Sequence, residues 1–154
     1  MAEKVKPIPE GYEGITPYIT VAGAAQAIAF YRQAFGAVEK LRIPAPNDRV
    51  GHAEIIIGKA HLMLSDEFPE MGAKGPRTIG GSPVLLHLYV ENVDETVKRA
   101  EAAGAKVERP PADQFYGDRG ALVIDPFGHR WWLATHVEDV PDDELQRRAA
   151  KAHG

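Results

Sequence analysis

Two stretches of this chain repeat one another: YITVAGAAQAIAFYRQAFGAVE, running Tyr18–Glu39, and HLYVENVDETVKRAEAAGAKVE, running His87–Glu108. In each, a strand-like segment ends on a valine, Val21 or Val90, and a helical stretch follows a short turn. The helix stops at Gly36 or Gly104, and a new apolar segment begins. The register slips by one residue between the two anchors. Two more strand-like segments follow each copy, so the repeated unit is β-α-β-β-β. One helix covers only one face of a sheet, which leaves the other face to be buried by something else. Two such sheets around a shared concave space meet that need. The expected fold is α+β, two tandem β-α-β-β-β modules with their sheets curved around a central cavity.

Outward from the repeat, residues 1–13 form an extended lead-in with Pro7, Pro9 and Gly11. Module one covers about 14–66, with strands at Gly14–Val21, Val38–Ile43, Val50–Ile57 and His61–Ser65 and a helix at Ala24–Phe35. A Gly/Pro-rich connection, Glu67–Pro83, leads to module two, about 84–137. Its strands are Val84–Val90, Lys106–Arg109, Gly120–Asp125 and Arg130–Thr135, and its helix is Asp94–Ala103. Together 14–137 make one domain, and 138–154 read as a helical tail, acidic early and basic late in agreement with the helix dipole.

Composition removes several classes. The 154 residues suit a single domain. A balance of 18 basic against 22 acidic residues, with no basic stripe, gives no nucleic-acid partner. There is no membrane-length apolar run and no apolar leader, so a cytoplasmic protein is expected. The absence of cysteine excludes disulfides, thiol catalysis and thiolate-bound zinc.

Strand alternation predicts which side chains face the cavity. Ile15, Ile19 and Val21 go to the helix and Thr16, Tyr18 and Thr20 to the cavity. The same rule turns His52, Glu54 and Ile56, then His61, Met63 and Ser65, then Leu85, His87 and Tyr89 inward, with Trp132 beside them. A purely structural core would be more aliphatic, because unpaired buried polar groups are costly. Such a lining suits a small organic ligand of aromatic or cationic character. In the loop Tyr116-Gly-Asp-Arg119, Arg119 either clamps an anionic ligand or pairs with a nearby carboxylate. Asp125-Pro-Phe-Gly128 reads as a structural turn that includes His129, and Trp131 as core.

The duplicated plan, AIAFYRQAFGA (Ala27–Ala37) and DPFGHRWWLATHVEDV (Asp125–Val140) resemble the vicinal oxygen chelate superfamily, which includes glyoxalases, bleomycin-resistance proteins and dioxygenases. Tyr116–Val140 is most similar to its PhnB-like branch. The resemblance implies a homodimer and, in catalytic members, one divalent metal. It places that metal's ligands at Thr16, Leu85 and Trp132, none of which donates to such an ion. No cofactor is therefore expected. The reading that follows is a binding protein for a small molecule, with Thr16, Tyr18, His52, Glu54, His87, Tyr89, Tyr116, Arg119 and Trp132 as candidate contacts and His87 bonded to Glu54 or Tyr18. The alternative is a metal-dependent lyase, isomerase or dioxygenase with a relocated site on His52, His87 and Glu54 or on His52, His87 and His136, Glu54 acting as base. A metal-free enzyme with Glu54 or His87 as base is the third reading.

Overall fold

Pro17 sets where the first strand begins. It has no N–H to give to a ladder, and in the computed structural model, which describes residues 4–153, β1 is Tyr18–Val21. The expected start at Gly14 is thus four residues early. Ile15, expected against the helix, is 96% exposed, and Thr16 lies outside the strand. Helix α1 (Ala24–Phe35) follows and ends on Gly36 in the left-handed conformation. Next come β2 (Val38–Ala45), β3 (Arg49–Ile57) and β4 (Ala60–Asp66). Module two repeats the order with β5 (Leu85–Tyr89), a helix at Val93–Ala102, β6 (Lys106–Asp113), β7 (Asp118–Ile124) and β8 (Arg130–His136). The connection between modules holds a 3-10 turn, Pro69–Met71, and a single helical turn α2, Pro76–Ile79. That makes the module-two helix α3, and α4 is Asp142–His153.

Each module builds one four-stranded sheet, in the orders β1-β4-β3-β2 and β5-β8-β7-β6. In each, the first strand runs parallel to the last and the other pairs are antiparallel. The edge strands β2 and β6 run further than expected, through Pro44 and through Pro110-Pro111, with register shifts. An edge strand tolerates proline because one side of its backbone has no ladder to feed.

The last strand of each module also starts its helix. Asp66, the final residue of β4, accepts from the backbone N–H groups of Gly23 and Ala24 at 2.9 and 2.8 Å and of Val50 at 2.7 Å. At the end of β8, Thr135 accepts from Val93 N at 2.8 Å. Pairing register makes these two positions counterparts: Asp66 lies opposite Val21, and Thr135 follows Ala134, which lies opposite Tyr89.

The modules meet through their helices. Helices α1 and α3 pack together, and the buried residues of both modules form one cluster. Trp131 lies against Phe35 and Tyr31, with ring centroids 4.8 and 5.5 Å away. Asp125, buried in the turn before β8, accepts from the Tyr31 hydroxyl, from Trp131 Nε1 at 3.0 Å and from the backbone of Phe127 and His129. The turn is structural as expected. His129 adds a tie from module two to module one, with Nε2 donating to the Thr20 carbonyl at 2.8 Å.

Because the helices take the junction, the two sheets do not close into a barrel. Their inner faces stand open in one chain: Tyr18 is 51%, Leu85 44% and Tyr89 58% exposed. Helix α4 docks on its own chain through Arg148, which donates to the Phe115 carbonyl at 3.1 Å and to both Glu138 oxygens. Among the described residues no helix is long and apolar enough to cross a membrane.

Candidate functional site

Register fixes what the inner face of the first sheet carries, since directly paired residues point the same way. Tyr18 lies opposite Met63, Met63 opposite Glu54 and Glu54 opposite Leu41. His61 lies opposite Ile56, Thr20 opposite Ser65 and His52 opposite Ile43. Every inward residue expected on β1, β3 and β4 is there. Only Thr16, outside the strand, is not.

Glu54 is the chemical centre of that face. It is 2% exposed, and its Oε2 accepts from the Tyr12 hydroxyl, from His61 Nδ1 at 3.0 Å and from Lys40 Nζ at 3.2 Å. Tyr12 stacks on His61 with ring centroids 4.2 Å apart, and the Lys40 ammonium sits 4.7 Å from the centre of the Tyr12 ring. Burial pushes the Glu54 carboxyl upward, but the three donors outweigh it and hold the group below its ordinary range. Beyond this cluster, the Tyr18 hydroxyl and His52 Nδ1 share a hydrogen bond of 2.9 Å. An open hollow of about 490 Å³ lies beside them, floored by Thr20, Gly51 and Ser65 and walled by Tyr18, Phe68 and Met71.

The second sheet presents a different cluster. Asp118, 3% exposed, accepts from the Tyr89 hydroxyl at 2.6 Å and from His136 Nδ1 at 2.7 Å. The other ring nitrogen of His136 faces Asp139 Oδ1 at 2.7 Å. Both nitrogens can donate only in the imidazolium form, and Asp118 first, then Asp139, raises the His136 pKa accordingly. Burial lifts the Asp118 carboxyl, and the bonds from Tyr89 and His136 bring it below the usual range. His87 stands beside Tyr89 with ring centroids 4.7 Å apart. Trp132, opposite His87 in the ladder, lies over Gly120, where an added Cβ would stand 2.3 Å from the indole.

Several expectations change. His87 belongs to the second sheet and bonds neither Glu54 nor Tyr18, whose partners are Tyr12, Lys40 and His61 for the one and His52 for the other. Arg119 points to the helix side and is engaged there: it donates to Asp94 at 2.8 and 3.0 Å and to Asp113 at 3.2 Å. The carboxylate-pairing alternative is the observed one. The donors of the relocated metal sites are dispersed: His52 is with Tyr18, Glu54 with Tyr12, Lys40 and His61, His87 beside Tyr89, and His136 with Asp118 and Asp139. Among the described residues no three His, Asp or Glu side chains gather as a metal would need. Thr16, Leu85 and Trp132, where the resemblance places metal ligands, offer a hydroxyl, an alkyl chain and an indole, and do not fit a divalent ion. Tyr12 and Lys40 escaped the sequence reading. Tyr12 lies in the lead-in, 42 residues before Glu54, and Lys40 on an edge strand beside a register shift. The one available signal was the lone aromatic in a Pro/Gly-rich segment.

Comparison with known proteins agrees with this architecture. A family model described as the Glyoxalase/Bleomycin resistance protein/Dioxygenase superfamily matches residues 15–133. A protein of Mycobacterium bovis is 44% identical over 135 residues, covering 86% of this chain and 89% of its own. Among solved structures, TioX from Micromonospora sp. ML1 superposes with a TM-score of 0.61 at 24% identity, over 84% of this chain and all of that one. A Bacillus cereus protein, described as a putative 3-demethylubiquinone-9 3-methyltransferase, PhnB protein, gives 0.61 at 16% identity over 80% and 99%. At those identities the two structures speak for the fold.

Proposed function

The chain belongs to the glyoxalase/bleomycin resistance protein/dioxygenase superfamily, and from that premise we propose that it binds a small organic molecule on the inner faces of its sheets without the superfamily's metal ion. One observation carries the reading. The positions for metal ligands hold Thr16, Leu85 and Trp132, while the surrounding faces offer open aromatic and hydrogen-bonding groups. Tyr18 and His52 form one such pair and His87 and Tyr89 another.

Binding of this kind needs no chemistry beyond recognition. The ring faces of Tyr18, Tyr89 and Trp132 supply apolar, polarizable area, and the hydroxyls of Thr20 and Ser65 supply directional contacts. A second copy of the chain completes the enclosure, as the family resemblance implies.

The test is elemental analysis of protein purified without chelator, followed by thermal unfolding against a panel of aromatic and cationic compounds. The expected result is no stoichiometric nickel, manganese or zinc, and a ligand-dependent rise in Tm, since a ligand held only by the native state stabilises it. One ion per chain, lost in a His87→Ala variant, would overturn the reading.

A further inference from the structure

The lead-in crosses the inner face of the first sheet with a single foothold. Residues 4–11 and 13–15 are exposed, and Tyr12 alone is drawn in. Gly11 and Gly14 flank it at φ +91° and +92°, a backbone region in which other residues are strained. A Cβ on Gly11 would stand 3.2 Å from His61 Nε2. A segment with one partly buried side chain has little apolar surface to offset the entropy of ordering it. Its place therefore depends on what Tyr12 finds beneath it.

The receptor beneath Tyr12 is more specific than the fold requires. Glu54 lies opposite Met63 in the first sheet, and Leu122 lies opposite Trp132 at the matching place in the second. Leu122, 3% exposed, serves the architecture there with no polar group at all. The first sheet instead holds a buried carboxylate, which is costly unless donors converge on it. The convergence suits one guest: a ring lying flat on His61, with a hydroxyl that donates to Glu54 and accepts from Lys40.

We infer that Glu54, Lys40 and His61 form a binding site for a phenol, and that Tyr12 fills this site in the free chain and is displaced when such a ligand binds. This rests on the small-molecule reading above and narrows it to one ligand class and one place. Tyr12 acts as an internal competitor, so the apparent affinity for an outside phenol is reduced by the fraction of chains in which Tyr12 is away.

The test uses the full chain and p-cresol, which is the tyrosine side chain as a free molecule, with toluene as the matched compound lacking a hydroxyl. Binding is read by calorimetry and by NMR signals of residues 8–14 and of the His61 ring. Wild-type protein is expected to bind p-cresol weakly, with the signals of residues 8–14 moving to free-chain positions, and to bind toluene no better than background. Tyr12→Ala is expected to bind p-cresol roughly tenfold or more tightly, the competitor having gone. Adding the near-isosteric Glu54→Gln to that variant is expected to take away roughly tenfold, through loss of a charge-assisted hydrogen bond. Because an emptied tyrosine site accepts cresol whatever its role, the wild-type result decides. Cresol that binds wild type and Tyr12→Ala equally, leaves residues 8–14 unmoved, is matched by toluene, or fails to bind wild type overturns the inference. A hit from the wider compound panel in any of those cases would leave the small-molecule reading standing, so the two failures are distinguishable.

Discussion

His136 shows how one side chain on an open face is fixed by its neighbours. Asp118 accepts from one ring nitrogen and Asp139 from the other, with Tyr89 donating to the far oxygen of Asp118. Both carboxylates favour the imidazolium, so the folded-state pKa lies above the ordinary value of 6.5. A group raised in this way contributes stability that is complete below its unfolded pKa and is lost as pH rises through the folded one. Asp118 works in the opposite sense. Its pKa is held below 3.8, so its share is present above that value and disappears as pH falls. Melting temperature measured across pH should therefore be highest between these limits and should decline on the alkaline side of 6.5. In a His136→Gln variant the alkaline decline should vanish, while the acid limb, which Tyr89 still supports, should remain. An unchanged alkaline slope in that variant would mean that the proton is taken up elsewhere.

At the scale of the element, the duplicated modules solve the same problem with different chemistry. Each helix begins where the last strand of its sheet ends, and that strand supplies an acceptor for the helix N-terminus. In module one the acceptor is a carboxylate serving three backbone donors, and α1 has no side-chain cap of its own. In module two the acceptor is a hydroxyl serving one donor, and Asn92 also caps α3 by accepting from Glu95 N at 3.1 Å. The two substitutions should then differ clearly. Asp66→Ala leaves three donors without their partner, two of them buried bonds, and should cost roughly 3 kcal/mol. Thr135→Ala removes one cap contact from a helix that keeps another and should cost about 1 kcal/mol. Urea unfolding of both variants measures the difference, and equal losses would show that the strand-end acceptors are not what separates the modules. The elements themselves were legible because their periodicities and stops are local: alternating strands, an Ala-rich helix, a left-handed Gly36. Their ends were less so. The missing N–H of Pro17 bars a start at Gly14, and β2 and β6 run on through prolines that an edge strand admits.

For the whole molecule, the sequence carried the duplication and the in-or-out direction of nearly every strand residue, since both follow from short-range pattern. It did not carry the way the modules meet. Alternation says that His87 and Glu54 each leave the helix side of their own sheet, but not that the modules join through α1 and α3. That junction is packed further by Tyr31 and Phe35 of α1 against Trp131 of β8. The need identified from the repeat, to cover the second face of each sheet, is thus unmet inside one chain. Val38 at 62%, Ile43 at 54% and Leu85 at 44% exposed show its extent. Apolar surface of this kind on both sheets is the mark of a face that associates, and a stable pair needs about 1,600 Å² buried in total. Light scattering should accordingly give twice the chain mass at micromolar concentration. A charge on the open face of each sheet, Ile43→Asp on β2 and Leu85→Asp on β5, should yield folded single chains, because an unpaired carboxylate buried in an interface costs more than such contacts return. Wild-type protein that scatters as a single chain would show that the inner faces stay open to water, and the ligand would then have to be held by one sheet alone.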